Sequence, residues 1–140
     1  MEIKALNALE AFAALDSDPS ATYVDVRAVA EFAVRHPKTK KIVNVPYVFF
    51  HPTTKETHAN DSFMLVMNDV FAKDAPIILG ADDGSRAADA AAALQADGYT
   101  NVAAMSDGTP GWQKYNLATT ADNRPGTSYV SLLTPAKRRT

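Results

Sequence analysis

The residues best placed to do chemistry lie together in one short loop, residues 80–86, between the most hydrophobic run of the chain and an alanine-rich stretch. In order they are Gly80, Ala81, Asp82, Asp83, Gly84, Ser85 and Arg86. A glycine-bounded loop that leads into a helix can direct several backbone N–H groups at one point, and the helix dipole favours an anion there. Arg86 would add a fixed positive charge. From this geometry alone, the loop is predicted to hold an anion.

Other chemistry at polar residues of the chain fits the spacing less well. Asp82 and Asp83 after a hydrophobic strand are typical of phosphoryl-transfer enzymes with an aspartate nucleophile and magnesium, but the glycine, serine and arginine that follow do not fit. Ser85 has no evident histidine base, so it is expected to bond the helix backbone. His51 and His58 lie in a polar stretch without further ligands at suitable spacing, so no metal site is predicted.

The chain of 140 residues contains no cysteine. Thiolate chemistry, disulfides, cysteine-ligated zinc and iron–sulfur clusters are therefore excluded. A net charge of −2, from 14 basic and 16 acidic residues, gives no electrostatic reason to expect nucleic acid or an anionic membrane as partner. No apolar run approaches the roughly 20 residues of a spanning helix, and the first residues lack a signal-peptide core. We therefore expect a soluble, cytoplasmic protein.

Short apolar runs alternate with helical segments along the chain. Strands are predicted at residues 22–26, 42–45, 76–79 and 101–105, and helices at 6–15, 28–34, 61–71, 84–97 and 109–115. The stretch between the second strand and the third helix, residues 47–60, is expected to be a loop. The buried stripe of the first helix is expected to contain Leu6, Leu9, Phe12 and Ala13, with Leu15 as a further candidate.

This alternation predicts an α/β fold: a single three-layer domain over residues 1–118, with a central, mainly parallel sheet flanked by helices. The run at 76–79 is assigned to a central strand, which places the loop at the carboxyl end of the sheet, where ligands bind in such folds. Residues 119–140 are rich in Thr, Ser and Pro and are predicted to form a polar tail, partly packed on the domain or flexible. The apolar residues expected to pack are Tyr129, Val130, Leu132 and Leu133.

Three residues outside the loop look chemically capable but have simpler roles. Asp25 and Arg27 lie at the end of a predicted buried strand, so they are expected to hydrogen-bond neighbouring loops and each other. Trp112 is expected to be a packing residue that anchors the last helix before the tail.

Three segments together resemble the rhodanese (sulfurtransferase) homology domain, and the resemblance covers nearly the whole chain. They are Tyr23-Val24-Asp25-Val26-Arg27 followed by Glu31-Phe32, then His36 with Asn44-Val45-Pro46-Tyr47, and Asp107-Gly108-Thr109-Pro110-Gly111-Trp112. The spacing between the histidine and the asparagine is slightly longer here than in the family, where the histidine is structural as often as functional. The resemblance implies the rhodanese fold, with signature positions at Asp25, Arg27, Glu31, His36 and Trp112.

The resemblance also implies what the loop would do. The family's active loop is a cysteine, four residues and an arginine, and the cysteine carries a sulfane sulfur from a donor such as thiosulfate to an acceptor. Gly84 and Arg86 match this pattern, and the cysteine position falls on Ala81, which has no nucleophilic atom. No residue of the chain is therefore assigned a catalytic role.

Asp82 and Asp83 are a second departure, because active loops of the family carry neutral or basic residues there. At about 5 Å and an effective dielectric near 20, each carboxylate would oppose a bound anion by about 3 kcal/mol. The leading hypothesis is a non-catalytic binding or regulatory module that uses residues 81–86 and needs no cofactor. Its ligand would be cationic, either a lysine or arginine of a protein partner or a divalent ion. The alternatives are a sulfurtransferase represented by a cysteine-substituted chain, and a structural fold that binds nothing; the oligomeric state is left open.

Overall fold

The computed structural model describes residues 3–50, 53–54, 56–82 and 84–139. Fifteen helices and strands follow one another in these residues. In chain order they are β1 (Lys4–Leu6), α1 (Ala8–Ser17), β2 (Thr22–Asp25), α2 (Val29–Val34), β3 (His36–Pro37), β4 (Ile42–Asn44), β5 (Val48–Phe50), β6 (Thr57–Ala59), α3 (Phe63–Val70), β7 (Ile77–Gly80), α4 (Gly84–Ala96), β8 (Val102–Met105), α5 (Gly108–Lys114), β9 (Thr119–Thr120) and α6 (Tyr129–Arg138).

The main sheet has five strands in the order β1-β8-β7-β2-β4, and all of its pairs are parallel. The α/β prediction with a mostly parallel central sheet is therefore confirmed. β7 is the middle strand, as its hydrophobicity predicted. Its register pairs Gly80 with Asp25 of β2, and Asp25 in turn with Asn44 of β4. The carboxyl ends of three neighbouring strands thus meet at one edge of the sheet.

Side chains alternate across the sheet, so each strand contributes to two cores. On one face, side chains of the strands such as Val24 and Leu79 pack against α3, α4 and α6. On the other face, Tyr23 and Ile78 pack against α1 and α5. The strands are apolar along almost their whole length because both of their faces are buried. The two cores and the sheet between them form the three layers.

Helix α1 begins at Ala8 rather than at Leu6 and buries a different face from the predicted one. Asn7 caps it reciprocally: its side chain accepts from the N–H of Glu10 at 2.8 Å, and the Glu10 carboxylate accepts from the N–H of Asn7 at 2.9 Å. The buried positions are Ala8, Ala11 and Leu15, whereas Leu9 and Phe12 remain 46% and 41% exposed. Small alanines let the helix lie close to the sheet, so the expected stripe was wrong at Leu9, Phe12 and Ala13, whereas Leu15 is buried. Leu6 belongs instead to β1.

Residues 47–60 were expected to be a loop, but they contain an antiparallel pair of strands, β5 and β6. The aromatic and β-branched composition of β5 favours a strand. β6 reads Thr57-His58-Ala59 and is exposed throughout, so hydrophobic patterning gives no sign of it. His58 lies on this exposed strand, and His51 lies outside the described residues.

The segment after α5 covers the outer strand of the sheet. β9 pairs antiparallel with β3, and the carbonyl of Thr127 accepts from the N–H of Asn44 in β4 at 2.9 Å. Helix α6 packs against α3, with Tyr129 buried and hydrogen-bonded to Asn60 at 2.9 Å. Leu132 and Leu133 pack partly buried on the same core, whereas Val130 is exposed. Among the described residues, no helix has the length and apolar character that crossing a bilayer requires.

Candidate functional site

The loop identified from the sequence connects the central strand β7 to helix α4. Ala81 directly follows β7, and its side chain is completely buried in the core beneath the loop. Its carbonyl oxygen accepts from the backbone N–H of Thr109 at 2.9 Å and from the Thr109 hydroxyl at 3.4 Å. Ala81, at the position of the family's cysteine, is therefore hydrogen-bonded through its carbonyl to the first turn of α5.

Two glycines allow this close packing. Gly108 has a φ of +66°, and a Cβ there would lie 2.3 Å from the carbonyl oxygen of Asp82. A Cβ on Gly84 would lie 2.5 Å from the carbonyl oxygen of Ser106. Neither approach is possible for a residue with a side chain unless the backbone shifts. Gly84 of the loop and Gly108 of the third signature segment thus allow direct backbone contact between the loop and the start of α5.

Asp25 and Arg27 form a buried ion pair directly beside the loop. The Arg27 guanidinium donates to both carboxylate oxygens of Asp25, at 2.9 to 3.2 Å, and to the carbonyl of Arg35 at 2.6 Å. Burial raises the pKa of Asp25, and the hydrogen bonds and charge of Arg27 oppose that rise. Burial lowers the pKa of Arg27, but the hydrogen bonds and charge of Asp25 outweigh it and leave the pKa raised. The pair fixes the end of β2 against α2.

Arg27 also reaches the loop, since its Nη1 lies 3.3 Å from Oδ1 of Asp82. Nε, Nη1 and Nη2 of Arg27 each have a protein acceptor, so the guanidinium is committed to the fold. Asp82 remains half exposed, with 52% of its side chain accessible. Asp83 lies outside the described residues. Asp82 is therefore the described acidic residue of the loop that solvent reaches, and the buried Arg27 pairs with it from the protein side.

Glu31 supplies a second carboxylate at the mouth of the loop. Its Oε1 accepts from the N–H of Ala28 at 3.0 Å, which caps α2, and lies 3.7 Å from Nη1 of Arg86. Burial raises the pKa of Glu31, and the neighbouring carboxyl of Asp82 raises it further by hydrogen bonding and charge. Asp82 is thus close enough to disfavour the ionised form of Glu31.

An open depression of about 350 Å³ lies beside the loop. Among the residues predicted from the sequence, Arg27, Glu31 and Asp82 line it. Five further lining residues were not predicted as site residues: Val34, Arg35, Thr109, Pro110 and Gln113. Val34 and Arg35 follow Glu31 at helical spacing, and Thr109 and Pro110 lie in the third signature segment, so a signal for four of them was present.

Ala81, Arg86, His36 and Trp112 do not line this depression. Ser85 is exposed in the first turn of α4. His36 is buried and stacks on Phe32, with 3.7 Å between the ring centroids. Trp112 is buried, and its Nε1 donates to the carbonyl of Ala118 at 2.7 Å. The indole therefore joins the end of α5 to the segment that follows.

Glu31→Gln is expected to make stability less dependent on pH. Because folding raises the pKa of Glu31, the stability that its protonated form contributes is present below the unfolded value, about 4.3, and is lost as pH rises through the folded value. Glutamine keeps the oxygen that accepts from Ala28 but carries no charge. The variant should therefore gain stability over the parent chain as pH rises, by less than about 1 kcal/mol because solvent screens the site.

Urea denaturation between pH 4.5 and 7.5 measures this difference. Glu10→Gln is the matched control, because Glu10 caps α1 in the same way. If the difference in free energy of unfolding between the parent chain and Glu31→Gln stays constant as pH rises, the coupling between Glu31 and Asp82 is refuted.

The fold and this site together define a class of protein. It comprises three-layer α/β domains in which a short loop between the central strand and a helix forms the site, with an arginine at the loop's end. The sequence model of the family described as "Rhodanese-like domain" matches residues 8–115. The chain belongs to this family, so the resemblance stated from its motifs is confirmed.

Individual proteins are similar to the chain in sequence or in fold. The chain is 30% identical to Rhodanese-like domain-containing protein 17 of Arabidopsis thaliana over 95 residues, which are 68% of this chain and 60% of that protein. It is 31% identical to Thiosulfate sulfurtransferase 18 of the same plant over 90 residues, 64% of this chain and 65% of that protein. The chain thus spans less than two thirds of either relative. The crystal structure of Rv0390 from M. tuberculosis superposes with a TM-score of 0.72 at 23% identity, covering 87% of this chain and 100% of that one.

Proposed function

We propose that this rhodanese-like domain has no sulfurtransferase activity and serves as a binding module through residues 81–86 and the depression beside them. The observation that carries the proposal is Ala81. It occupies the position of the family's cysteine, its methyl group is buried, and the chain has no cysteine anywhere else. Persulfide transfer requires a thiolate as nucleophile, and no other side chain of this loop forms one.

The ligand that the site favours is a lysine or arginine side chain of a protein partner. Burial and the neighbouring carboxyl of Asp82 disfavour the charged form of Glu31, and a cation placed beside the two carboxyl groups would relieve that repulsion. Arg27 already donates to Asp25, Asp82 and the Arg35 carbonyl, so it is committed within the domain.

The remainder of the depression suits the stem of such a side chain. Val34 is 76% exposed, and Pro110 lies with it in the lining, so the aliphatic part of a lysine or arginine would have apolar contacts. Arg35 adds a positive charge to the lining, and the depression as a whole is charge-balanced. The preference for a cation is therefore confined to the surface beside Glu31 and Asp82. The sequence alone suggests a pocket made acidic by Asp82 and Asp83.

Titration of the chain with a lysine-rich peptide, followed by NMR of the backbone amides, tests this proposal. We expect shifts at Glu31, Val34 and Asp82, and none with an acidic peptide of equal length. Glu31→Gln combined with Asp82→Asn should abolish the shifts, and Asp122→Asn, on the tail, is the matched control. A peptide that leaves the loop unperturbed refutes the binding surface. Thiocyanate formation from thiosulfate and cyanide above a heat-inactivated sample refutes the absence of activity.

A second candidate is a sulfurtransferase whose cysteine has been replaced in this chain. Gly84 and Arg86 at the family spacing favour it, as does the similarity to a relative named Thiosulfate sulfurtransferase 18. The codon for residue 81 in the native gene separates the two candidates. Localisation to the cytoplasm stays a prediction, which cell fractionation would test.

A further inference from the structure

A second cavity, of about 290 Å³, shares no lining residue with the depression beside the loop. One wall is the connection from β3 to β4, with His36, Lys38 and Lys40. The other wall is the segment after α5, with Thr120, Asp122 and Arg124. This second wall lies beyond residue 115, where the match to the family ends. The cavity is therefore built partly from residues outside the shared domain. We refer to it as the His36 cavity.

His36 contributes an unused hydrogen-bonding group to this cavity. The imidazole is completely buried, and its Nδ1 lies 2.7 Å from the carbonyl oxygen of Phe32. A carbonyl oxygen only accepts, so Nδ1 carries the proton, and in the neutral ring Nε2 is an acceptor. Nε2 has no hydrogen-bond partner among the described residues. The Phe32 carbonyl accepts from Nδ1 and the Phe32 ring covers one face of the imidazole, and His36 is one of the residues that line the cavity.

The charges around the cavity favour an anion. Lys38, Lys40 and Arg124 line it together with one carboxylate, Asp122. Asp122 bonds Arg124, and Lys40 lies 3.5 Å from Oδ1 of Asp16. The side chain of Lys38 has no hydrogen bond or ion pair with any residue that the structure describes. Positive charge is thus in excess, and one lysine is uncommitted.

We propose that the His36 cavity binds an oxyanion that also carries a hydroxyl, the chemistry of hydrogen phosphate. The anionic oxygens would accept from Lys38 and Arg124 and from the hydroxyl of Thr120, all of which line the cavity. The ligand's hydroxyl would donate to Nε2 of His36, which gives that buried acceptor the partner it lacks. Sulfate offers the same oxygens but has no proton to donate near neutral pH. The site therefore distinguishes hydrogen phosphate from sulfate.

Titrations of the full chain at pH 7.5 and constant ionic strength test the proposal, with inorganic phosphate, sulfate and methyl phosphate as separate ligands. Backbone amide shifts locate the site, and calorimetry gives the affinities. We expect phosphate to shift residues 36–40 and 120–124, and to bind about ten-fold more tightly than sulfate, the equivalent of one charged hydrogen bond. Methyl phosphate, largely a dianion without a hydroxyl at this pH, should behave like sulfate. Tight binding of methyl phosphate would instead indicate that the cavity binds phosphate monoesters, and it would refute the role of Nε2.

Two variants separate the contributions. Lys38→Ala, at an exposed lysine, should weaken phosphate and sulfate to the same degree, by about five-fold, whereas the control Lys114→Ala on α5 should change neither. His36→Asn keeps an amide donor for the Phe32 carbonyl but has no equivalent of Nε2, so it should abolish the preference for phosphate. Equal binding of phosphate and sulfate by the parent chain overturns the proposal even if His36→Asn does not fold. So do phosphate-induced shifts confined to the loop at Ala81.

Discussion

The Ala81→Cys variant is expected to form no thiocyanate from thiosulfate and cyanide above a heat-inactivated sample. The side chain at this position is completely buried, and the carbonyl of the same residue is held by the backbone and hydroxyl of Thr109. A thiol placed there is surrounded by apolar core, which disfavours the thiolate. The sulfur is therefore restored without the ionisation or the access that persulfide chemistry requires.

Charge opposes activity in the same variant. Asp82 and Asp83 follow directly in the sequence, and a carboxylate about 5 Å from the sulfur would disfavour both a thiolate and a bound thiosulfate by about 3 kcal/mol before solvent screening. The ion pair of Asp82 with Arg27 reduces the contribution of Asp82. Adding Asp82→Asn and Asp83→Asn to Ala81→Cys is expected to bring thiocyanate formation at least ten-fold above the heat-inactivated sample, because each 1.4 kcal/mol of electrostatic relief corresponds to about a ten-fold faster rate.

The two asparagine substitutions without the cysteine are the control, and they should stay at background. Full turnover by Ala81→Cys alone would contradict both arguments and show that only the sulfur is missing. That outcome would favour the cysteine-substituted sulfurtransferase over the binding module.

Asp25→Asn is expected to lower the free energy of unfolding by about 3–5 kcal/mol, the range for breaking a buried ion pair at one partner. Asn keeps the shape of the side chain and an oxygen for the backbone N–H of Arg27. The Arg27 side chain, 6% exposed, would lose its buried countercharge. Urea denaturation at pH 7 measures the change.

Asp16→Asn is the matched control, because its partner Lys40 and Asp16 itself are both more than 60% exposed. Its effect should be below about 1 kcal/mol. Replacing both members of the buried pair, with Asp25→Leu and Arg27→Met, should recover much of the lost stability because no charge then remains buried. A single Asp25→Asn variant as stable as the parent chain would show that the pair contributes nothing.

The sheet was predictable because its inner strands are buried on both faces and read as continuous apolar runs. β7 is the clearest example, with every residue buried. β1 was not recognised because Lys4 and Ala5 are exposed and only Leu6 is buried, which leaves too short a pattern. Exposed β6 carries no pattern at all. The face of α1 was assigned wrongly because large apolar residues were expected inside, whereas alanines fit the narrow space against the sheet.

The sequence points to the carboxyl end of β7 as the candidate site, but not to its electrostatics. A hydrophobic strand followed by a glycine-bounded loop singles out residues 80–86, of which Asp82 lines the depression. The ion pair between Arg27 and Asp82 joins residues 55 positions apart, and a single sequence does not show which charges meet across such a distance. The contact between Ala81 and Thr109 is similarly non-local. It depends on Gly84 and Gly108, which the sequence shows, and on the backbone atoms that they approach, which the sequence does not show.

The segment after α5 has a consequence for the behaviour of the domain in solution. β4 is the last strand of the main sheet, and an outermost strand is a template on which other chains can pair and aggregate. Here the carbonyl of Thr127 accepts a hydrogen bond from the N–H of Asn44 in β4, and β9 pairs with β3, the strand that precedes β4 in the chain. The residues beyond the family match thus protect this edge of the sheet from pairing with strands of other chains. A domain trimmed at residue 115 would lose these contacts together with one wall of the His36 cavity.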